Sequence, residues 1–385
     1  MRLSGNSGCL ILSPIILIGL IGLNNWNRTQ MKRIRQIFAD QETGGNMARK
    51  KKTSVNFGVI GLGMGRYHLE GYLNAPSCNL IGIADIDENR LKDCKEKYGI
   101  KNAFKDYHDL LAMKELDAVS VALPNFLHKP VVIDALNAGK HVMTEKPMAL
   151  NAQEGEEMRD VAKKQGLILM LHFNNRYRAD IQLIKKYVDN GEFGDIYYAK
   201  TGWIRRRGVP GAGSWFSNKK LSGGGPLIDL GVHVIDMTMY MMGCPKPVGV
   251  MGSVVQAFPE FSKYGTFDVE DFASAYIRFD NGATMAVEVS WAQNCQSEKQ
   301  YSEIYGTKAG ANLSPLTIWT EQNGIMIDIE PKSLKGLSQF EHFADCILNK
   351  KTPISSADDG VAMMKILDAI YASSETKREV VINCD

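Results

Sequence analysis

Between Val55 and Leu171 short apolar runs alternate with stretches whose apolar residues recur every three or four positions. The runs predict strands at 56–60, 79–84, 118–123, 141–144 and 167–171, and the stretches between them predict helices at 66–74, 88–98, 107–113, 129–138 and 152–165. Several of these helices meet a glycine at or just past the last turn, where a left-handed backbone closes the helix. Regular alternation of strand and helix requires βαβ units, so the fold class is α/β with a doubly wound parallel sheet. After a helix near 179–190 the runs lengthen and alternate with period two over 196–206, 248–258, 271–279 and 283–292, with Asp280-Asn281-Gly282 as a hairpin turn. This predicts an open, mainly antiparallel sheet in an α+β domain, closed by helices at 339–349 and near 357–374. The expected organisation is an extension over 1–54, a parallel-sheet domain over 55–173 and a second domain over 174–385.

Composition changes this picture little. A chain of 385 residues suits two cores, and 44% hydrophobic with 23% charged residues is ordinary for a soluble protein. A net charge of +2 gives no reason to expect nucleic acid as a partner. The cysteines (Cys9, Cys78, Cys94, Cys244, Cys295, Cys346, Cys384) are scattered and form no C-x-x-C or Cys/His cluster, so they read as reduced thiols of a cytoplasmic protein, and no metal site is expected. Leu10 to Leu23 is apolar but broken by Pro14, short for a membrane span and without a signal-peptide cleavage site. Residues 1–46 therefore read as untranslated leader read in frame ahead of a true start at Met47, as a disordered or targeting extension, or as a membrane anchor; no membrane partner is expected of the folded part.

The candidate chemistry lies in three places. Gly61-x-Gly63-Met64-Gly65 follows the first strand and opens a helix, a geometry that seats a pyrophosphate on backbone N–H groups and the helix dipole. Its third glycine falls one position early, with Arg66 in the usual place, and a glycine turn alone fits any strand–helix link. Asp85 ends the next strand, near the spacing of an acid that binds a ribose 2′-hydroxyl, which favours NAD over NADP, although Arg90 is near and Asp85 could instead cap the following helix. Pro124-Asn125-x-x-His128 and Glu145-Lys146-Pro147 follow adjacent strands at the edge of the sheet where open α/β folds bind ligands. Lys146 there could stabilise an alkoxide, and Asp229 and His233, four residues apart on one helix face after the small residues Ser222 to Gly225, could handle a proton. Trp203, Arg205-Arg206-Arg207 and Trp215-Phe216 around the loop 208–214, and His172 to Tyr177 at the domain junction, suit either a hydroxyl-rich ligand or a subunit interface.

Together these stretches resemble the Gfo/Idh/MocA family of nicotinamide-dependent sugar oxidoreductases from about Val55 to the end. The most specific matches are Glu145-Lys146-Pro147 and Gly224-Gly225-x-x-x-Asp229-x-Gly231-x-His233. The resemblance implies a Rossmann domain at 55–173 and a substrate-binding domain whose sheet forms homodimers or homotetramers. It also implies Lys146, Asp229 and His233 as the catalytic set. The cofactor contacts are expected from Gly61, Gly63, Met64, Gly65, Asp85, Pro124, Asn125, His128, Glu145 and Lys146, and substrate contacts from Asn175, Arg176, Arg206, Trp215, Asp229 and His233. The expected reaction is hydride transfer between NAD and a secondary alcohol of a sugar, polyol or related ring. The alternatives are glycoside hydrolysis through transient oxidation and elimination on bound NAD, and a non-catalytic NAD-binding regulator.

Overall fold

The first sheet is wound outward from its first strand. Its strands are β1 (Val55–Ile60), β2 (Cys78–Ala84), β3 (Asn102–Phe104), β4 (Ala118–Val121), β5 (His141–Thr144) and β6 (Leu169–Leu171), all parallel, in the order β3-β2-β1-β4-β5-β6. Strands β4 and β6 are buried along their whole length, as a parallel sheet covered on both faces demands. The helices that cover it begin and end as their sequences dictate: the Asp87 carboxylate caps Glu88–Tyr98 and left-handed Gly99 ends it, and Asn151 and Gly166 do the same for Ala152–Gln165. The three-residue β3 is half-buried and too short to leave a periodic signal.

The structure is a computed structural model that describes residues 52–211, 213–332 and 336–383. The expectations for residues 1–51, with Cys9 and Cys384, lie outside these residues. Cys78, Cys94, Cys244, Cys295 and Cys346 are free thiols. No helix of the described residues is long and apolar enough to cross a membrane.

The second sheet comprises β7 (Ile196–Ile204), β8 (Pro247–Val255), β9 (Phe272–Phe279), β10 (Thr284–Ser290), β11 (Lys299–Gly306), β12 (Ala309–Leu313), β13 (Leu316–Gln322), β14 (Ile325–Ile329) and β15 (Val380–Val381). Its order is β14-β13-β12-β11-β7-β10-β9-β8-β15, antiparallel except where β10 runs parallel to β7. One face packs on helix Val232–Met241, where the Thr238 and Ser302 hydroxyls pair at 2.7 Å, and the other face is open. The sequence pattern did not separate β11 to β14: Lys299, Gln300 and Glu303 break the alternation of β11, and β12 is five residues of mostly small side chains.

Thr53–Asp385 is one compact unit. The expected second domain is not continuous within it, since helix Gln339–Asn349 returns to the first sheet. There Phe340, Phe343 and Ala344 share a core with Val55, Phe57 and Tyr72, the Phe57 and Phe343 rings lying 5.6 Å apart. Helix Ala357–Thr376, opened by a Ser356–Asp359 capping box, packs on β8 and on helix Ala152–Gln165. Its Asp368 carboxylate accepts from Ala152 N at 2.7 Å and its Ser373 hydroxyl from Gly252 N at 2.9 Å. This helix therefore locks the two sheets together and fixes the cleft between them.

Candidate active site

The cleft, about 900 Å³, runs from the glycine turn after β1 across the ends of β4 and β5 to the start of helix Val232–Met241. Gly61 sits at φ +87°, and a Cβ there would lie 2.4 Å from Ala122 O, so this turn requires glycine. Gly65 opens helix Gly65–Leu73 and lies so close to the sheet that a Cβ would come within 2.9 Å of Val59 Cγ1. The early third glycine thus provides close helix–strand packing, while Arg66 points away with a half-exposed side chain. Gly63 and Met64 line the cleft; Gly65 lies behind it.

Asp85 holds the turn together. One carboxylate oxygen accepts from Leu62 N at 2.6 Å, the other from Asp87 N at 2.8 Å, and Arg90 Nη1 lies 3.7 Å away. The cap of the next helix is Asp87, not Asp85. Pro124 and Asn125 also line the cleft, and Asn125 Nδ2 donates to Ser222 O at 2.7 Å, stitching the two halves at their junction. His128 does not reach the cleft: its ring is buried with Nδ1 and Nε2 each 2.8 Å from a carbonyl, those of Pro147 and Leu123, so it clasps two loops.

At the far end, β5 delivers Glu145 and Lys146 in succession, with a cis peptide bond to Pro147. Lys146 Nζ donates to Asp229 O at 2.9 Å and to Asp229 Oδ1 at 3.0 Å. Trp291 Nε1, at the end of β10, donates to Asp229 Oδ2 at 3.0 Å. Burial pushes the Asp229 carboxyl up, but Lys146 and Trp291 outweigh it and hold the group below its ordinary range. His233 is half-buried beside Trp203; burial, with the Lys146 charge, pushes its pKa down to about 3, so the imidazole is neutral at neutral pH.

Asp229 and His233 do not share a regular α-helix. Leu227–Gly231 forms a π turn that passes into the α-helix at Val232, a widening that recurs where helices carry chemistry. The turn is seated by Glu270, whose Oε1 accepts from Leu227 N at 3.1 Å and from the Tyr371 hydroxyl at 2.9 Å. Gly224 and Gly225 admit this seat: a Cβ on Gly225 would lie 2.0 Å from Glu270 O. The small residues are therefore close-packed against protein on one side, while Ser222 and Gly224 also line the cleft.

Of the expected substrate contacts, Trp215 lines the cleft, stacked on Phe216 at 3.9 Å. Arg176 does not: it is buried, pairs with Asp236 at 2.7 Å and donates to Ile354 O, bracing the junction. Asn175 and Arg206 also stay out of the cleft; Asn174 lines it in place of Asn175, and Arg206 is exposed beside Glu298. Trp291 and Tyr67 gave no signal in the sequence, because an aromatic residue at a strand end or on an apolar helix face reads as core.

Two sequence profiles cover this architecture: "Oxidoreductase family, NAD-binding Rossmann fold" matches residues 55–173 and "GFO/IDH/MocA C-terminal domain" matches 181–312. The chain belongs to the Gfo/Idh/MocA oxidoreductase family. Within that family it is 33% identical to D-glucoside 3-dehydrogenase of Escherichia coli over 84% of its length and 96% of that protein's. It is 30% identical to myo-inositol 2-dehydrogenase of Thermotoga maritima over 85% of the chain and 98% of that enzyme. Among solved structures, levoglucosan dehydrogenase in complex with NADH and levoglucosan superposes with a TM-score of 0.79 at 26% identity, covering 86% of this chain and all of that one. For a Gfo/Idh/MocA chain, the residues present fit a dinucleotide, since the glycine-only turn at Gly61 and the Asp85 carboxylate stand in one continuous cleft with Lys146.

Proposed function

We propose that this protein is an NAD-dependent dehydrogenase that oxidises a secondary alcohol of a sugar, glycoside or polyol ring, with Lys146, Asp229 and His233 as its catalytic residues. The observation that carries the reading is the Lys146–Asp229 pair at 3.0 Å beside a neutral His233, at one end of a cleft whose other end is a glycine turn. NAD supplies the hydride acceptor when bound. Two of the three Nζ hydrogens of Lys146 are held by Asp229, which leaves one for the substrate oxygen. His233 Nε2 or Nδ1 takes the hydroxyl proton, since the ring is neutral at neutral pH and has a lone pair to offer. Lys146 then faces the developing alkoxide with a fixed positive charge, and Asp229, itself fixed by Trp291, keeps that charge in place.

Asp85 favours NAD over NADP, since its carboxylate repels a 2′-phosphate and Arg90 is already drawn to it at 3.7 Å. The open face of the second sheet supports self-association: Tyr198 and Tyr305 stack at 5.8 Å, Tyr305 and Trp319 at 6.0 Å, and Tyr276 and Met251 on the same sheet are half-exposed. A homodimer or homotetramer through that face, in the cytoplasm where free thiols persist, completes the proposal. The test is NADH absorbance with NAD and a panel of glycosides, inositols and aldoses, with product analysis in the same wells. NADH with an equal amount of keto product is the expected result; glycoside cleavage without NADH would move the protein to the hydrolase alternative, which its dehydrogenase-named relatives do not favour.

A further inference from the structure

Behind Lys146 lies a buried chain of polar groups that the proposed reaction leaves unused. Tyr72 OH and Ser120 Oγ lie 2.7 Å apart, Ser120 Oγ lies 3.0 Å from His68 Nδ1, and His68 Nε2 lies 3.0 Å from Glu145 Oε1. His172 Nδ1 reaches the same Glu145 oxygen at 3.0 Å from the other side. The Glu145 carboxylate can only accept, so both imidazoles must donate to it, and the directions along the chain are then fixed: Tyr72 to Ser120 to His68 to Glu145, and His172 to Glu145. The neutral form of His172 therefore carries its proton on Nδ1 and leaves Nε2 as an acceptor. That atom is buried and has no hydrogen-bond partner, and His172 lines the cleft.

A buried acceptor without a partner costs stability unless a ligand satisfies it. The surroundings identify the side from which the donor comes. His172 ends β6, one strand beyond the strand carrying Lys146, and its ring packs on Tyr67 at 5.8 Å and His68 at 4.4 Å, both on the helix that opens at the glycine turn. This wall is made of the nucleotide-binding sheet and its first helix, whereas Asp229 and His233 line the cleft from the other half. We propose that His172 Nε2 accepts a hydrogen bond from the carboxamide N–H of the nicotinamide ring, making it a cofactor-positioning residue whose tautomer is set by Glu145. The inference rests on the NAD-binding reading and adds to it a specific acceptor for the amide.

The experiment measures binding, not turnover, by titration calorimetry of the full chain with NAD and with its 3-acetylpyridine analogue, which has a methyl group where NAD has the amide nitrogen. Wild-type protein is expected to bind NAD about fivefold more tightly than the analogue, the worth of one hydrogen bond. H172F should bring the two affinities together by weakening NAD alone. In the wild-type protein, the 15N signal of His172 Nε2 should move on adding NAD and much less on adding the analogue, a readout that does not depend on the variant folding. A preference for NAD unchanged in H172F, or an Nε2 signal that responds equally to both, overturns the assignment while leaving NAD binding intact. A preference unchanged in H172F alongside weaker binding of a sugar ligand assigns the lone pair to a substrate hydroxyl instead and also overturns it. Failure of NAD to bind the wild-type protein would remove the underlying reading as well.

Discussion

Lys146 and Asp229 are half of one another's environment, so removing either leaves a charge facing the other's absence. Lys146→Ala is expected to lower kcat by about 10²–10³ while leaving NAD binding largely intact; steady-state kinetics with calorimetry checks this, and parallel loss of both would make the lysine structural. Trp291→Phe tests the residue that the sequence did not mark. It removes the donor to Asp229 Oδ2 but keeps an aromatic ring, so kcat should fall by about tenfold with little change in melting temperature. Because that donor helps hold the Asp229 carboxyl low, the acid limb of the kcat pH profile should move to higher pH in the variant. A profile that drops in height without moving would mean that Trp291 only fills space. Lys146, Asp229 and His233 stood out in the sequence because their residue types and spacing are chemically specific, and the structure brings all three to one cleft. Trp291 did not, since an indole N–H reveals its role only when a partner from another element is in place. Arg176 shows the opposite error: an arginine at a domain junction looks available to a ligand, but the buried Asp236 that claims it lies 60 residues away.

At the scale of elements, strand and helix positions in the first sheet, β3 apart, followed from periodicity to within a residue or two, helped by strands such as β4 and β6 that are buried along their whole length and by helices such as Glu88–Tyr98 and Ala152–Gln165 that carry their own caps. The π turn at Leu227–Gly231 was not legible, since a helix with one extra residue in its turn has nearly the same apolar spacing as a regular one. It depends on contacts from far along the chain, with Glu270 and Tyr371 fitting into the space that Gly224 and Gly225 leave open. Gly225→Ala should therefore destabilise the protein by about 1–3 kcal/mol and misplace Asp229, lowering kcat more than the affinity for NAD. Denaturant unfolding and kinetics on the same variant check this; a variant of wild-type stability and activity would show that the seat is loose. Strand β11 escaped the sequence reading for a related reason: a sheet with one open face tolerates polar residues such as Lys299 and Glu303, which blur the alternation.

For the whole molecule, five histidines share one pH response, opposed by the exposed His108, whose pKa the Asp106 carboxylate raises. His68, His128, His141, His233 and His342 all have pKa values lowered chiefly by burial from the ordinary 6.5. The unfolded chain therefore takes up protons first as pH falls through 6.5, and the folded state loses stability from there downward. Glu145, held well below its ordinary 4.5, adds stability that is lost only at lower pH still. Stability should thus fall between about pH 7 and pH 5, partly offset by Asp236, whose carboxyl burial pushes up to about 6; chemical denaturation across that range checks it, and a rise in stability toward pH 5 would contradict the burial of these rings. The open sheet face makes a separate prediction: a Tyr305→Glu, Trp319→Glu double variant should elute as a monomer in size-exclusion chromatography if this face joins subunits, with its melting curve reporting on the fold.

The return of helix Gln339–Asn349 to the first sheet bears on how the protein is made. Phe57 leaves the ribosome early, yet Phe340 and Phe343, which complete its surroundings, are synthesised almost 300 residues later. During translation this flank of the nucleotide-binding sheet lacks its cover until Phe340 and Phe343 have emerged. Cutting the gene at the apparent domain boundary, or grafting this sheet onto another substrate domain, would leave that flank bare unless the late helix travels with it.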